Sequence, residues 1–123
     1  MKSTLLLLFL LISPRHSFAS ADSNIQLWKE GDRFYSLKKD PDGQTLLSSD
    51  CFNSEDTCEA LKAMKKKLKL TFAQKELSGG KNPNSLKCSK GHQGRVLILK
   101  DDDGNENSFC RFSDGSLVST SDL

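Results

Sequence analysis

The sequence has few of the residues that build large cores, active sites or membrane spans. It contains one Trp, one Tyr, three Pro and two His in 123 residues, and 36% of the residues are hydrophobic. The longest apolar run has eight residues, far fewer than the ~20 that a membrane-spanning helix needs. Charges nearly cancel, with 18 Lys and Arg against 16 Asp and Glu. These absences exclude a large enzyme, a transmembrane protein and a globally basic nucleic-acid-binding protein.

The apolar run lies near the N-terminus and is typical of a secretory signal peptide. Lys2 precedes it, and Ala19-Ser20-Ala21 supplies small residues at the −3 and −1 positions of a cleavage site. We therefore expect residues 1–21 to be a signal peptide and the mature chain to begin at Asp22. The mature protein is expected to be secreted or periplasmic.

The four cysteines predict two disulfides, because export places them in an oxidising compartment. They are Cys51, Cys58, Cys88 and Cys110. Of the three connectivities we favour Cys51–Cys58 with Cys88–Cys110, since each pair then lies within one half of the chain. Each bridge is worth roughly 3 kcal/mol on the loop-entropy model. A zinc site built from all four is disfavoured, because no CxxC pair is present.

The first half of the mature chain predicts a β-meander. Residues 25–29 and 33–38 alternate as strands do, with Tyr35 and Leu37 on one side of the second strand. A turn is expected at Asp40-Pro41-Asp42-Gly43, after which residues 44–49 continue the meander.

A helix is expected to follow, with Ser54 as its N-cap. Acidic residues lie in its first turn and lysines in its last turns, as the helix dipole favours. An apolar stripe recurs at spacings of three and four and consists of Cys58, Leu61, Met64 and Leu68. Residues 67–72 fit either the end of this helix or a strand.

The second half predicts a helix and then another β-meander. Asn82 as N-cap and Pro83 at the first helical position favour a helix start. Residues 95–100 are the most strand-like segment, and residues 101–105 form the return turn.

Side-chain alternation on the returning strand supports the second disulfide. Cys110 and Phe112 share one face, whereas Phe109 and Arg111 share the other. This alternation directs Cys110 toward the helix that carries Cys88.

These elements predict an α+β fold made of two small disulfide-stapled submodules. Residues 22–78 form a β-meander plus helix, and residues 79–123 form a helix plus β-meander. The boundary is expected at the glycine-containing segment 78–81.

The second half resembles a bacterial domain family of unknown function whose members are often labelled as haemolysins. The resemblance rests on Asn82-Pro83-Asn84-Ser85, Cys88, the Asp103-Gly104 turn, Cys110 and Phe112-Ser113-Asp114-Gly115-Ser116. It implies no catalytic residues.

The first half resembles, more weakly, a short ββα module, also of unknown function. That resemblance rests on residues 25–29, Tyr35, Leu37, Gly43-Gln44, Ser49 and Phe52-Asn53-Ser54. Neither resemblance implies a substrate.

Catalytic and metal-binding patterns are weak. His92 is the only histidine after the expected cleavage site, and its glycine neighbours predict an exposed turn. The acids at 101–105 do not fit an EF-hand, because Cys110 occupies the twelfth position where that loop needs Glu. Most other acids lie in turns or helix starts, so paired-carboxylate chemistry is disfavoured although not excluded. We expect no enzyme, no cofactor and no metal.

Charge is distributed unevenly along the chain. Residues 22–60 carry 4 basic and 9 acidic side chains, residues 61–90 carry 9 and 1, and residues 91–123 carry 3 and 6. The candidate residues for binding an acidic partner are Lys62, Lys65, Lys66, Lys67 and Lys69. The alternative is that these lysines form a solvated end of the helix and bind no partner. Residues 61–90, called the basic band below, contain no Arg and only one aromatic residue. Nucleic acid is therefore disfavoured as the partner.

The sequence therefore predicts a non-enzymatic binding protein, secreted or periplasmic. The expected partner is an unknown protein or an anionic envelope component. The alternatives are an inhibitor of an extracellular hydrolase and a membrane-active protein of the haemolysin-like kind.

Overall fold

The computed structural model of the chain describes residues 24–40, 44–53 and 56–123. The expected signal peptide, the turn residues 41–43 and Ser54 lie outside these ranges. The strands are β1 (Ile25–Glu30), β2 (Arg33–Lys39), β3 (Leu46–Ser48), β4 (Arg95–Lys100), β5 (Glu106–Arg111) and β6 (Leu117–Ser119). The helices are α1 (Glu59–Lys66), α2 (Gln74–Leu77) and α3 (Pro83–Leu86). A π-helical turn (Lys87–Gly91) follows α3, and two 3₁₀ turns follow β3 and β6 (Ser49–Phe52 and Thr120–Asp122).

The six strands form one closed antiparallel barrel in the order β1-β2-β3-β6-β5-β4. Each half of the chain contributes a three-stranded meander, as the sequence predicts. The expected arrangement of two submodules is not confirmed, because the meanders join along two seams, β1 with β4 and β3 with β6. A three-stranded meander leaves two unpaired edges, and pairing them in a barrel removes both. The fold is α+β, with a single barrel shared by the two halves.

The two meanders are related by an approximate two-fold axis. Leu37 pairs with Ser48 between β2 and β3, and Phe109 pairs with Ser119 in the same way between β5 and β6. In this equivalence each seam joins two equivalent positions, Lys29 with Lys100 and Leu47 with Val118. The axis therefore passes through both seams.

Two apolar clusters stabilise this arrangement. The first fills the barrel and consists of Trp28, Leu37, Leu97, Leu99, Phe109 and Leu117, with Tyr35 and Leu46 at its margin. Trp28 packs edge-on against Phe109, with ring centroids 5.2 Å apart. The second cluster lies outside the barrel, where α1 and both disulfides cover the seam at Leu47 and Val118. The opposite seam, at Lys29 and Lys100, has exposed Leu27 and Ile98 beside it.

The predicted bounds of the first helix are wrong. It begins at Glu59 with Cys58 as N-cap, and it ends at Lys66. Lys67 follows in the left-handed conformation, with φ 39°. Leu68 therefore lies beyond the helix and does not extend its apolar stripe. The residues buried from α1 are Ala60, Leu61 and Ala63, and residues 67–73 have no regular structure.

The N-terminus of α1 is capped by residues distant in sequence. The backbone N–H groups of Glu59 and Ala60 donate to Asp114 Oδ2 at 2.9 Å and to Ser116 Oγ at 3.0 Å. The next N–H, of Leu61, donates to Cys58 Sγ at 3.3 Å. The first turn of a helix has no internal acceptors for these groups. The β5–β6 turn and a disulfide sulfur therefore complete the start of α1, which explains why a local search places the helix too early.

Both disulfides have the pairing that the sequence favours, Cys51–Cys58 and Cys88–Cys110. Cys110 points out of the barrel toward Cys88, as strand alternation predicts. Gly94 lies against the second bridge. A Cβ at this position would be 2.5 Å from Cys110 Sγ and 3.0 Å from Cys88 Sγ. The absence of a side chain at Gly94 therefore allows the chain to pass the buried sulfurs.

Replacing Asp114 by Ala is expected to destabilise the protein by about 1–2 kcal/mol, because the change removes the acceptor for the first N–H of α1. Chemical denaturation of wild type and variant measures the difference. Asp102→Ala is the matched control, because Asp102 is an exposed turn acid. Equal stabilities of the two variants would contradict the role assigned to Asp114.

Gly94→Ala is expected to destabilise the oxidised protein by about 1–3 kcal/mol through overpacking against the sulfurs. The same change in a Cys88→Ala/Cys110→Ala background is expected to cost less, because both sulfur atoms are then absent. Thermal unfolding of the four proteins measures this coupling. If Gly94→Ala lowers stability equally with and without the Cys88–Cys110 disulfide, the overpacking does not involve the sulfur atoms.

Candidate anion-binding site

The five candidate lysines do not form one patch. All five are exposed, but they line different cavities around α1. Lys65, Lys67 and Lys69 line a cavity of about 730 Å³. Lys62 and Lys66 line a second cavity of about 380 Å³. The structure therefore brings three of the predicted residues together and separates the other two.

The larger cavity, called the lysine cavity below, lies between α1, the segment that follows it and the 3₁₀ turn after β6. Its lining consists of Thr45, Met64, Lys65, Lys67, Leu68, Lys69, Leu70, Lys87, Ser121, Asp122 and Leu123. Lys87 comes from the π-helical turn and adds a fourth ammonium group. Asp122 is the only carboxylate side chain in this lining. The site therefore carries an excess of positive charge over an apolar wall.

Local backbone geometry brings these lysines together. The left-handed conformation of Lys67 ends α1 and redirects the chain, so that Lys69 lines the same cavity as Lys65. Leu70 Cδ1 packs closely against Gly91, where a Cβ atom would overlap it. The segment after α1 is thus held against the π-helical turn that carries Lys87.

Asp122 is the acidic side chain of the lysine cavity. Partial burial raises the pKa of this carboxyl, although the positive charge of Lys67 acts in the opposite direction. Lys87 Nζ donates to the backbone oxygen of Leu123 at 3.3 Å. Residues 121–123 therefore form one side of the cavity and partly offset its charge.

The smaller cavity contains His92, which is only partly exposed where the sequence predicts an exposed turn. Its ring is partly buried and packs edge-on against Phe112, with centroids 5.9 Å apart. Within the described ranges, its Nε2 atom is buried without a hydrogen-bond partner. Burial lowers the pKa of His92, and the charge of Lys66 lowers it further. His92 is therefore largely neutral at pH 7.

The groups around His92 serve the fold. The Ser113 hydroxyl donates to both carboxylate oxygens of Glu59, at 2.9 and 2.8 Å. All four cysteines are in disulfides, so no thiol is present for a histidine to activate. The charged side chains that line this cavity are Glu59, Lys62 and Lys66.

Other basic residues lie apart from the lysine cavity. Lys90, from the same basic band, forms an ion pair with Glu76, and the Lys90 hydrogen bond is the main cause of the lowered pKa of that carboxyl. Lys87 was visible in the sequence only as a member of the charge run. Its spatial role depends on the π-helical turn, which no local pattern indicates.

The acidic turn after β4 is closed by its own hydrogen bonds. Asp101 Oδ1 accepts from the backbone N–H groups of Asp103 and Asn105 at 3.0 and 2.8 Å. The Asn105 side chain donates to Asp101 Oδ2 and is the largest cause of the lowered pKa of this acid. Across the described residues, no group of three His, Cys, Asp or Glu side chains is placed to hold a metal ion.

Comparisons with protein-family models, curated proteins and solved structures found no match. The haemolysin-like resemblance of the second half therefore stays a prediction. No helix in the described part of the chain has the length and apolar character to cross a membrane.

Folding stability is expected to fall as the pH drops below 6.5, the ordinary pKa of His92. The pKa of His92 is lowered in the folded state, so the unfolded state binds its proton first and is favoured on acidification. The loss ends once the pH is below the folded-state value. Chemical denaturation between pH 7.5 and 5 measures this dependence, and His92→Gln is expected to reduce it. An unchanged slope in the variant would show that other groups cause it.

Proposed function

We propose that the protein is a secreted or periplasmic binding protein without catalytic activity, and that it binds an acidic protein or an anionic envelope component at the lysine cavity. The observation that supports this most directly is the convergence of Lys65, Lys67, Lys69 and Lys87 on one cavity with a single opposing carboxylate.

An excess of positive charge at one place attracts anionic partners and increases their rate of association. Surface lysines are usually interspersed with acids, whereas the lining here has four lysines to one aspartate. The apolar side chains beneath them are Met64, Leu68 and Leu70. A cavity that offers both charge and apolar contact suits a ligand better than a uniformly solvated helix end does.

The disulfides support the proposed location. Two bridges, with all four sulfurs in buried residues, are typical of proteins from oxidising compartments. This agrees with the signal peptide expected over residues 1–21. A rigid, cross-linked barrel also lowers the entropy cost of holding a binding site in one geometry.

The proposal predicts that Lys65→Gln/Lys67→Gln/Lys69→Gln weakens binding to phosphatidylglycerol vesicles and to poly-glutamate. Each lysine near an anionic surface contributes about 1 kcal/mol, so the triple change is expected to lower affinity roughly 100-fold. Co-sedimentation measures the vesicle arm and calorimetry the poly-glutamate arm, each at low and high salt. Comparing the two arms identifies the partner class.

The matched control is Lys29→Gln/Lys39→Gln/Lys75→Gln, which removes the same charge from exposed lysines outside the cavity. The control is expected to retain most of the affinity. Equal losses in both triple variants would show that net charge, and not this cavity, determines binding. If the wild-type protein binds neither the vesicles nor poly-glutamate at low salt, the proposal is refuted.

A further inference from the structure

We propose that the ligand of the lysine cavity is a small amphipathic anion, with a phosphate or carboxylate head and an alkyl tail. This inference rests on the proposed function and specifies the chemical class of the ligand.

The dimensions of the cavity suit a small molecule. Its volume of about 730 Å³ lies within the ~300–1,000 Å³ typical of ligand-binding sites. The cavity is open to solvent on one side, so a small molecule can enter it directly. Besides Thr45, Ser121 and Asp122, the lining offers lysines for a head group and apolar side chains for a tail.

The apolar wall is formed before any ligand binds. Leu70 is 37% exposed, and its Cδ1 atom lies against Gly91. Leu68 also lies beside Gly91, with its Cδ1 atom 3.8 Å from the Cβ position. Two leucines that lie beside Gly91 thus offer apolar contact area at the cavity surface.

Lys67 lies next to Leu68 in the chain and contributes an ammonium group to the same cavity. It is a non-glycine residue with φ 39° and ψ 72°, a conformation that costs most residues free energy and that glycine adopts freely. Glycine at this position would relieve the strain and keep the chain reversal. The lysine places an ammonium group at the chain reversal, which glycine would not supply.

The experiment compares dodecyl phosphate below its micelle concentration with inorganic phosphate and dodecyl maltoside, using calorimetry on the full mature protein. Dodecyl phosphate is expected to bind at least tenfold more tightly than inorganic phosphate, because only the former uses both head and tail contacts. Dodecyl maltoside has the same tail without charge and is expected not to bind.

Two variants separate the contributions. Lys67→Gly is expected to maintain or raise the melting temperature and to weaken dodecyl phosphate binding about tenfold. Its matched control is Gln93→Gly, which relieves the other non-glycine positive φ of 55° outside the lysine cavity. Leu70→Gln is expected to reduce dodecyl phosphate binding toward that of inorganic phosphate, while Leu27→Gln, at a 52% exposed leucine on the barrel, leaves it unchanged.

The outcomes distinguish this inference from the proposed function. Equal affinities for dodecyl phosphate and inorganic phosphate, or full binding by Lys67→Gly, would overturn the amphipathic ligand. If poly-glutamate or vesicles bind in a manner that depends on the lysine cavity while dodecyl phosphate does not bind, this inference alone fails. If no anionic probe binds, both fail.

Discussion

The arrangement of the site depends on one interaction, the capping of α1 by the turn between β5 and β6. Asp114 and Ser116 accept the first two N–H groups of the helix, and Glu59 accepts from Ser113 in return. This reciprocal contact fixes the first residue of α1 on the barrel. Because α1 has only eight residues, fixing its start also fixes where it ends and where the chain reverses at Lys67. The lysine cavity therefore depends on polar contacts at the opposite end of the helix.

The sequence predicts features that depend on neighbouring residues well. Alternation along β2 places Leu37 inside and Phe34 outside, and alternation along β5 directs Cys110 toward Cys88. Asn82 accepts from the N–H of Asn84 at 2.9 Å, as an N-cap does. These features follow from the backbone geometry of a single element.

Features that depend on distant residues were missed for a common reason. The barrel is closed by pairs such as Lys29 with Lys100, and no pattern within either meander specifies its partner edge. The start of α1 is determined by acceptors from the β5–β6 turn, and the burial of His92 by Phe112. The count of charged residues identified a basic region at residues 61–90. It could not show that the left-handed conformation of Lys67 separates the lysines of this region around α1, because a backbone conformation leaves no signal in the composition.

The two seams of the barrel differ in what covers them. At one seam α1 and the disulfides pack over Leu47 and Val118, whereas at the other Lys29 and Lys100 face solvent. The lysine cavity lies on the covered side, where three short elements from different parts of the chain meet. The two seams therefore have different surroundings, although each joins a strand to its equivalent in the other half of the chain.

The placement of the crosslinks has a consequence for the order of folding. Each disulfide joins residues 7 or 22 positions apart, whereas each seam joins residues from opposite halves of the chain. Short loops close with less entropy loss than long ones, and topologies rich in distant contacts fold slowly. Oxidation can therefore precede barrel closure, so that the two halves of the chain pair with their unfolded ensemble already restricted.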